Sequence, residues 1–84
     1  MTKQGRTKDE LFIICLYEQA LKQNEIDDPI DRYKIGTLVG LQAIATDTIC
    51  QLLTQANFIK KHGKADISIT AHGIKLVERL TQKP

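Results

Sequence analysis

Residues 50–70 read CQLLTQANFIKKHGKADISIT, and the spacing of their apolar side chains changes after Asn57. Before that residue, apolar positions recur every three or four residues, as on one face of a helix. After it they alternate with polar residues in two runs, 58–61 and 65–70, and residues 62–64 supply a turn with a glycine. The stretch therefore predicts a helix that ends at Asn57, where asparagine tolerates a left-handed C-cap, followed by a β-hairpin.

The helix that leads into this hairpin, helix 3, follows another helix after only a few residues. Asp31 is a good N-cap for that second helix, which we expect from Arg32 to about Val39, with Gly40 as its stop. Two helices joined by so short a glycine-containing connection are typical of a helix-turn-helix. The predicted inward residues are Ile35, Leu38 and Val39 of the second helix, and Ala45, Ile49, Leu52, Leu53 and Ala56 of helix 3.

Two further helices are expected at the ends of the chain. Thr7 and Glu10 form a capping-box pattern, which predicts a first helix from there to about Asn24. Thr70 can cap a last helix, Ala71 to about Thr81. We expect the core residues Leu11, Phe12, Ile14, Cys15, Leu16 and Leu21 in the first helix and Ile74, Val77 and Leu80 in the last, with Ile30 in a short strand.

Length and composition indicate one small globular domain over residues 1–84, with an ordered core of about 8–82. Eighty-four residues leave room for one core, and the 42% hydrophobic and 26% charged fractions are those of an ordinary folded chain. Cys15 and Cys50 lie in apolar helical patterns, so we interpret both as reduced core residues. With neither a signal segment nor an apolar run of membrane-spanning length, we expect a cytoplasmic protein without a membrane partner.

In order and spacing, three stretches resemble the winged helix-turn-helix family, in particular MarR-like and PadR-like regulators. IGTLVGL (35–41) resembles the second helix and its turn, CQLLTQANFIKK (50–61) the end of a recognition helix and the first wing strand, and ISITAHGIKL (67–76) the second wing strand with a Thr-x-x-Gly start of the final helix. The resemblance covers about residues 8–82. It implies an α+β fold: a three-helix bundle, a two-stranded wing and a C-terminal helix.

The resemblance also implies a function, that of a small transcriptional regulator whose partners are double-stranded DNA and a second copy of the chain. Regulators of this type often pair through their terminal helices, and we expect such pairing through apolar residues that the core leaves over, such as Phe12, Leu16 or Leu76. In this use, the outward face of helix 3 enters the major groove and the wing contacts the backbone. Glutamine pairs with adenine, and threonine or isoleucine contacts a base edge or a thymine methyl. The candidate contact residues are Gln42, Ile44, Asp47, Thr48 and Gln51 on helix 3, and Lys60, Lys61, His62 and Lys64 on the wing.

The charge distribution departs from the family pattern. Residues 35–59 hold no lysine or arginine, and Asp47 is their one formal charge. Phosphate neutralisation, which supplies most non-specific affinity, then depends on the wing and on Lys3, Arg6, Lys8, Arg32 and Lys34. Two alternatives remain open: the wing lysines protect a sheet edge from pairing, or the neutral helix 3 face with Ile44 docks on a protein partner.

The sequence offers no case for catalysis, a cofactor or a metal. Asp27, Asp28 and Asp31 cluster in a polar loop, and we expect their carboxylates to be solvated. An acid-base pair needs a cleft that shifts its pKa values, and a domain this small rarely encloses one. The two histidines and two cysteines lack metal-ligand spacing. We therefore expect a binding protein and not an enzyme, with His62 as a turn residue or wing contact and His72 as a capping or packing residue.

Overall fold

The computed structural model describes residues 6–82, which form four helices and a three-stranded antiparallel sheet. The predicted α+β class is confirmed. In chain order the elements are α1 (Lys8–Leu21), β1 (Ile30–Asp31), α2 (Arg32–Leu38), α3 (Ala43–Gln55), β2 (Ile59–His62), β3 (Asp66–Ile69) and α4 (Ala71–Thr81).

Three of the helices begin at the predicted capping residues. Thr7 and Glu10 form the capping box, in which the Thr7 amide donates to Glu10 Oε1 at 2.9 Å. Asp31 accepts from the Tyr33 amide at 2.9 Å at the start of α2, and Thr70 accepts from the Gly73 amide at 3.0 Å at the start of α4. These contacts satisfy amides that have no partner within the first helical turn. The first helix ends at Leu21, earlier than the predicted Asn24.

The sheet joins the hairpin to a distant part of the chain, in the order β1-β3-β2. Ile59 of β2 lies opposite Ile69 of β3, and Ile30 of β1 lies opposite Ile67 of β3. The predicted strand at Ile30 and the predicted hairpin are confirmed, although each hairpin strand begins and ends one residue away from its expected bounds. A residue on each side of β2 has a left-handed backbone conformation. These residues are Asn57, before the strand, with φ 65°, and Gly63, in the hairpin turn, with φ 62°.

The connection between α2 and α3 is tight. Gly40 has φ 80°, as a left-handed stop requires, and the two helices meet at 112°. The helices approach so closely that a Cβ built on Gly36 lies 3.2 Å from Cβ and Cγ2 of Thr46 and closer still to Thr46 Oγ1. The second helix ends at Leu38, one residue before the predicted Val39.

The core lies between α1, the inner face of the sheet and the other three helices. Its buried apolar residues are Phe12, Ile13, Leu16, Ala20, Ile30, Ile35, Ile49, Cys50, Leu53, Ile59, Ile67, Ile69 and Val77. Both cysteines are free; Cys50 is buried as predicted, whereas Cys15 is half-buried. In α4, Val77 is buried, and Ile74 and Leu80 are partly buried against the core.

The predicted face of α1 is wrong in part. Ile13 and Ala20 are buried with Phe12 and Leu16, whereas Leu11 and Leu21 are exposed and Ile14 and Cys15 lie at the margin. Residues 11–16 form an uninterrupted apolar run, so their spacing does not fix which side of the helix faces inward. Contacts from α2, α3, β3 and α4 determine that orientation.

The predicted face of α3 is also rotated. Ile49 and Leu53 are buried as expected, but Leu52 is 54% exposed, and Ala45 and Ala56 are exposed too. Thr46 and Cys50 take the inward positions instead. In α2, Leu38 is likewise exposed and not buried as predicted, and Val39 is partly buried. The close approach at Gly36 sets this rotation because Thr46 must face α2.

Within residues 6–82, no single helix has the length and apolar composition to cross a membrane. Those criteria are met only by α2 and α3 taken together, across their 112° bend.

Candidate nucleic-acid interface

The residues predicted to point outward from α3 do so. Gln42, Ala43, Ile44, Asp47, Thr48, Gln51 and Gln55 are all exposed, and Ile44 is 82% exposed. We call Gln42, Ile44, Asp47, Thr48 and Gln51 the α3 face. The rotation of α3 adds Leu52 to its exposed residues, so the helix presents more apolar surface than the sequence predicted.

The polar side chains of the α3 face differ in which of their hydrogen-bonding groups remain available to a ligand. Thr48 Oγ1 donates to the Ile44 carbonyl at 3.1 Å, so its donor is used within the helix. The methyl group and the oxygen lone pairs of Thr48 remain for a ligand. Gln42 and Gln51 are exposed amides, each with a donor and an acceptor.

Asp47, the single formal charge of the α3 face, is bonded to α2. Its Oδ1 accepts from Tyr33 Oη at 2.7 Å and from Arg32 Nη1 at 3.4 Å. The hydrogen bond to Asp47 raises the pKa of Tyr33 above its usual value, because the neutral phenol donates to a carboxylate. The Asp47 side chain is half exposed, so its charge is both paired and hydrated.

Arg32 does not serve as the additional phosphate contact that the sequence predicted. It is only 6% exposed, and its guanidinium turns inward. Nε donates to the Ala65 carbonyl at 3.0 Å and Nη2 to the Lys64 carbonyl at 3.3 Å. Because the side chain is almost completely buried and three of its five N–H donors are bonded within the chain, it is not placed to contact a phosphate, so that prediction is wrong.

The hairpin presents three exposed cations, Lys60, Lys61 and Lys64, which we call the hairpin lysines. Lys60 and Lys61 lie on β2, one of the two edge strands of the sheet, and Lys64 lies in the turn. His62 is half-buried, and its Nε2 lies 2.8 Å from Oγ of the buried Ser68, across the hairpin. His62 is therefore held by a strand partner as well as placed near the turn.

The remaining predicted cations lie elsewhere. Lys34 is exposed on α2, and Arg6 and Lys8 are exposed at the start of α1. Lys3 lies outside the described residues. The fold packs α3 against β2, and Arg32 bonds both Asp47 and the Lys64 carbonyl, so the hairpin turn lies near Asp47 of the α3 face.

The second histidine and the two cysteines are packed against other parts of the fold. His72 stacks on Phe58, with ring centroids 4.8 Å apart and planes at 13°. Burial raises the pKa of the Cys50 thiol to about 11, and burial, followed by the charge of Glu18, raises that of Cys15. Within residues 6–82, no three His, Cys, Asp or Glu side chains are grouped to hold a metal ion.

Sequence reasoning missed Tyr33 as part of this region, and it named Arg32 without its contacts. Tyr33 bonds Asp47, and Arg32 bonds the hairpin turn; the sequence showed only that Arg32 directly follows an N-cap at the end of a strand. Comparisons of the chain with models of known families, with curated proteins and with solved structures find no match. Its function is therefore inferred from the geometry of these residues.

Proposed function

We propose that this chain is a winged-helix protein that binds double-stranded DNA in the cytoplasm as a non-enzymatic transcriptional regulator. The order of elements supports the fold: α2 and α3 form a bent pair with a glycine turn, and the β2–β3 hairpin follows α3 directly. The first helix of such a pair supports the second, which enters the major groove. The hairpin is then the wing.

The observation that carries the proposal is an exposed, mostly uncharged helix face that is followed directly by a hairpin with three exposed lysines, the turn of which is joined to Asp47 through Arg32. Gln42 and Gln51 have the donor and acceptor pair that matches an adenine edge, and Ile44 or the Thr48 methyl suits a thymine methyl. The hairpin lysines supply charge for phosphates, which fix position without reading sequence. The pairing of Asp47 with Arg32 and Tyr33 lessens the repulsion that a free carboxylate on this face exerts on DNA.

Three hairpin lysines give a modest electrostatic contribution. If each neutralises one phosphate, the logarithm of the binding constant falls with the logarithm of salt concentration with a slope of roughly −2.7. A pair of domains on two half-sites doubles this number and fixes the register, so we propose a homodimer as the DNA-binding form.

The dimer surface cannot be the one that the sequence suggested. Phe12 and Leu16 were expected to be left over for assembly, but both are completely buried. Leu76 is half-buried, and Leu11 and Leu21 on α1 are exposed. The exposed leucines of α1 are therefore the proposed contacts in place of Phe12 and Leu16.

One observation favours the alternative, a protein-docking module. Ile44 is 82% exposed and Leu52 is 54% exposed on the same helix. Exposed apolar side chains suit the buried centre of a protein interface, which is depleted of charged residues, and they contribute little to phosphate binding. The DNA reading places Ile44 against thymine methyl groups, whereas the docking reading places it in a pocket of a partner.

Titration of labelled mixed-sequence duplex DNA over a series of salt concentrations separates these functions. The test variant replaces Lys60, Lys61 and Lys64 with alanine. Its matched control replaces three exposed cations at the C-cap of α1 and on α4, namely Lys22, Lys75 and Arg79, and so changes the net charge equally. Fluorescence anisotropy reports affinity, and sedimentation reports the oligomeric state.

We expect the hairpin variant to lose most of its affinity and to flatten the salt slope by roughly 0.9 per lost contact, whereas the control keeps the slope. Gln51→Ala should preserve the slope and change discrimination between sequences. Absence of binding at low salt, or equal losses in both triple variants, contradicts DNA binding through the hairpin. Loss of a protein contact on Ile44→Ala then identifies the docking function.

A further inference from the structure

Arg32 joins three parts of the chain that are far apart in sequence. It is the first residue of α2, its Nε and Nη2 bond the carbonyls of Ala65 and Lys64 in the hairpin turn, and its Nη1 bonds Asp47 on α3. The Arg32 amide also donates to the Ala65 carbonyl, at 3.1 Å. One side chain thus holds the hairpin turn and the exposed side of α3 to the start of α2.

The geometry of this contact is specific to arginine. The guanidinium is planar and presents its donors in a fixed fork, so it can hold two adjacent carbonyls and a carboxylate at once. Burying such a charge is unfavourable unless acceptors are placed around it. Here the hairpin turn supplies two carbonyls and α3 supplies the Asp47 carboxylate. The Tyr33 ring lies beside the group, with its centroid 6.0 Å from Cζ, and its hydroxyl holds the same Asp47 oxygen.

The hairpin turn needs such a support. Beyond the short β1 pairing, which ends at Asp31 and Asp66, the turn projects past the sheet. Two carbonyls next to the turn receive their side-chain hydrogen bonds from Arg32. Without them, the position of Lys64 relative to α3 depends on the two strands and on the hydrogen bond from the Arg32 amide to the Ala65 carbonyl.

We propose that Arg32 is a positioning residue, which sets the distance and angle between the hairpin lysines and the α3 face without contacting the ligand. The affinity part of this inference rests on the proposed DNA binding; the part that concerns the hairpin turn does not. Arg32 also compensates the charge of Asp47, and this second effect has to be separated from the first.

The experiment uses the full chain with Arg32→Lys, Arg32→Gln, Asp47→Asn and the double variant Arg32→Gln/Asp47→Asn. Amide hydrogen exchange by NMR reports local opening of the hairpin relative to α1. Anisotropy with the same duplex over a salt series reports affinity and slope. Ile13→Val, a small truncation of a completely buried α1 residue, is the control for a general loss of stability.

Arg32→Lys keeps the charge and loses the fork. We expect its hairpin amides to exchange about tenfold faster while those of α1 change less. We also expect a smaller salt slope, by up to roughly 0.9 for the displaced Lys64 contact, although Arg32 itself contacts no phosphate. Ile13→Val should leave the slope unchanged, because a merely structural loss does not remove a phosphate contact.

The double variant separates position from charge. If Arg32 acts by positioning, Asp47→Asn does not restore the slope lost in Arg32→Gln. Restoration of the wild-type slope and affinity shows that charge compensation is the whole effect and overturns the proposal. Unchanged hairpin exchange in Arg32→Lys overturns it as well. Where Arg32→Gln does not fold, Arg32→Lys and Asp47→Asn still decide.

The two hypotheses fail separately. If the wild-type chain binds no DNA, the proposed function is wrong, and the exchange rates of the hairpin amides alone decide the role of Arg32. If the wild-type chain binds DNA and Arg32→Lys matches it in both exchange and slope, the positioning role is wrong and the proposed function stands.

Discussion

The closest helix contact of the fold predicts a specific coupling between Gly36 and Thr46. A methyl group added in Gly36→Ala lies 3.2 Å from Cβ and Cγ2 of Thr46 and nearer to its Oγ1, in a site where Thr46 is 1% exposed. Overpacking of this kind costs about 1–3 kcal/mol. Alanine in place of helical glycine returns about 1 kcal/mol. The expected net loss in the free energy of unfolding is therefore about 0–2 kcal/mol.

Thr46→Ala removes Oγ1 and Cγ2, two of the three atoms that crowd the new methyl group, and leaves only Cβ at 3.2 Å. By itself this substitution should be nearly neutral: it loses a buried methyl group, worth about 0.8 kcal/mol, and it removes a hydroxyl without a hydrogen-bond partner among the described residues. Relieving such a group is worth roughly 1 kcal/mol or more. In the Thr46→Ala background, Gly36→Ala should be neutral or stabilising by up to about 1 kcal/mol.

Urea unfolding followed by circular dichroism measures all four corners of this cycle. We expect a coupling energy of about 1–3 kcal/mol. Gly40→Ala is the control: Gly40 also has a special backbone, with φ 80°, but nothing lies within 4 Å of its added Cβ, so its cost of about 1–2 kcal/mol should not depend on Thr46. Additivity at Gly36 to within about 0.5 kcal/mol refutes the close packing of α2 on α3.

Three further predictions concern the core and its ionisable group. In urea melts, Leu53→Ala should lower the free energy of unfolding by about 2–5 kcal/mol, whereas Leu52→Ala, at an exposed position, should lower it by less than about 1 kcal/mol. Equal losses contradict the observed rotation of α3. In the same urea melts, Gly73→Ala should lower the free energy of unfolding by about 3 kcal/mol, because the added Cβ meets the rigid backbone carbonyl of Phe58. A variant as stable as the wild type means that α4 does not pack against Phe58. Because the folded state raises the pKa of Cys50 from 9.0 to about 11, it favours the neutral thiol; this stabilisation is complete below pH 9 and is lost as pH rises to about 11. Melts of wild type and Cys50→Ala over that range should converge, and parallel curves contradict the burial of the thiol.

The local signals of the sequence predicted the element order well. Thr7, Asp31 and Thr70 are the observed caps, and Asn57 and Gly40 have the left-handed backbone expected of them. These features depend on a few neighbouring residues, and their chemistry is visible in the sequence.

Which face of each helix points inward was less predictable. The apolar run of residues 11–16 allows several rotations of α1, and in α3 the pattern favoured Leu52 where the fold buries Thr46. Thr46 faces inward because Gly36 leaves room for it, a relation between two helices that no single helical pattern contains. The exposure of the α3 face was nevertheless predicted correctly, because its residues point away from the core in both the predicted and the observed rotation of α3.

The contacts of Arg32 could not have been predicted for a related reason. Its acceptors, the carbonyls of Lys64 and Ala65, are backbone groups more than thirty positions away, and every residue type carries such groups. The sequence therefore showed a cation without showing its partners.

The pairing of β1 with β3 has a kinetic consequence. Ile30 meets Ile67 across a segment that contains α2, α3 and β2, so this contact closes a long loop, whereas the β2–β3 hairpin closes over a few residues. Loop closure is entropically unfavourable until the contacts inside the loop have formed, and contacts distant in sequence slow folding. We expect the hairpin and the α2–α3 pair to be structured in the transition state and β1 to join afterwards. Substitutions at Ile30 should then accelerate unfolding and leave the refolding rate nearly unchanged.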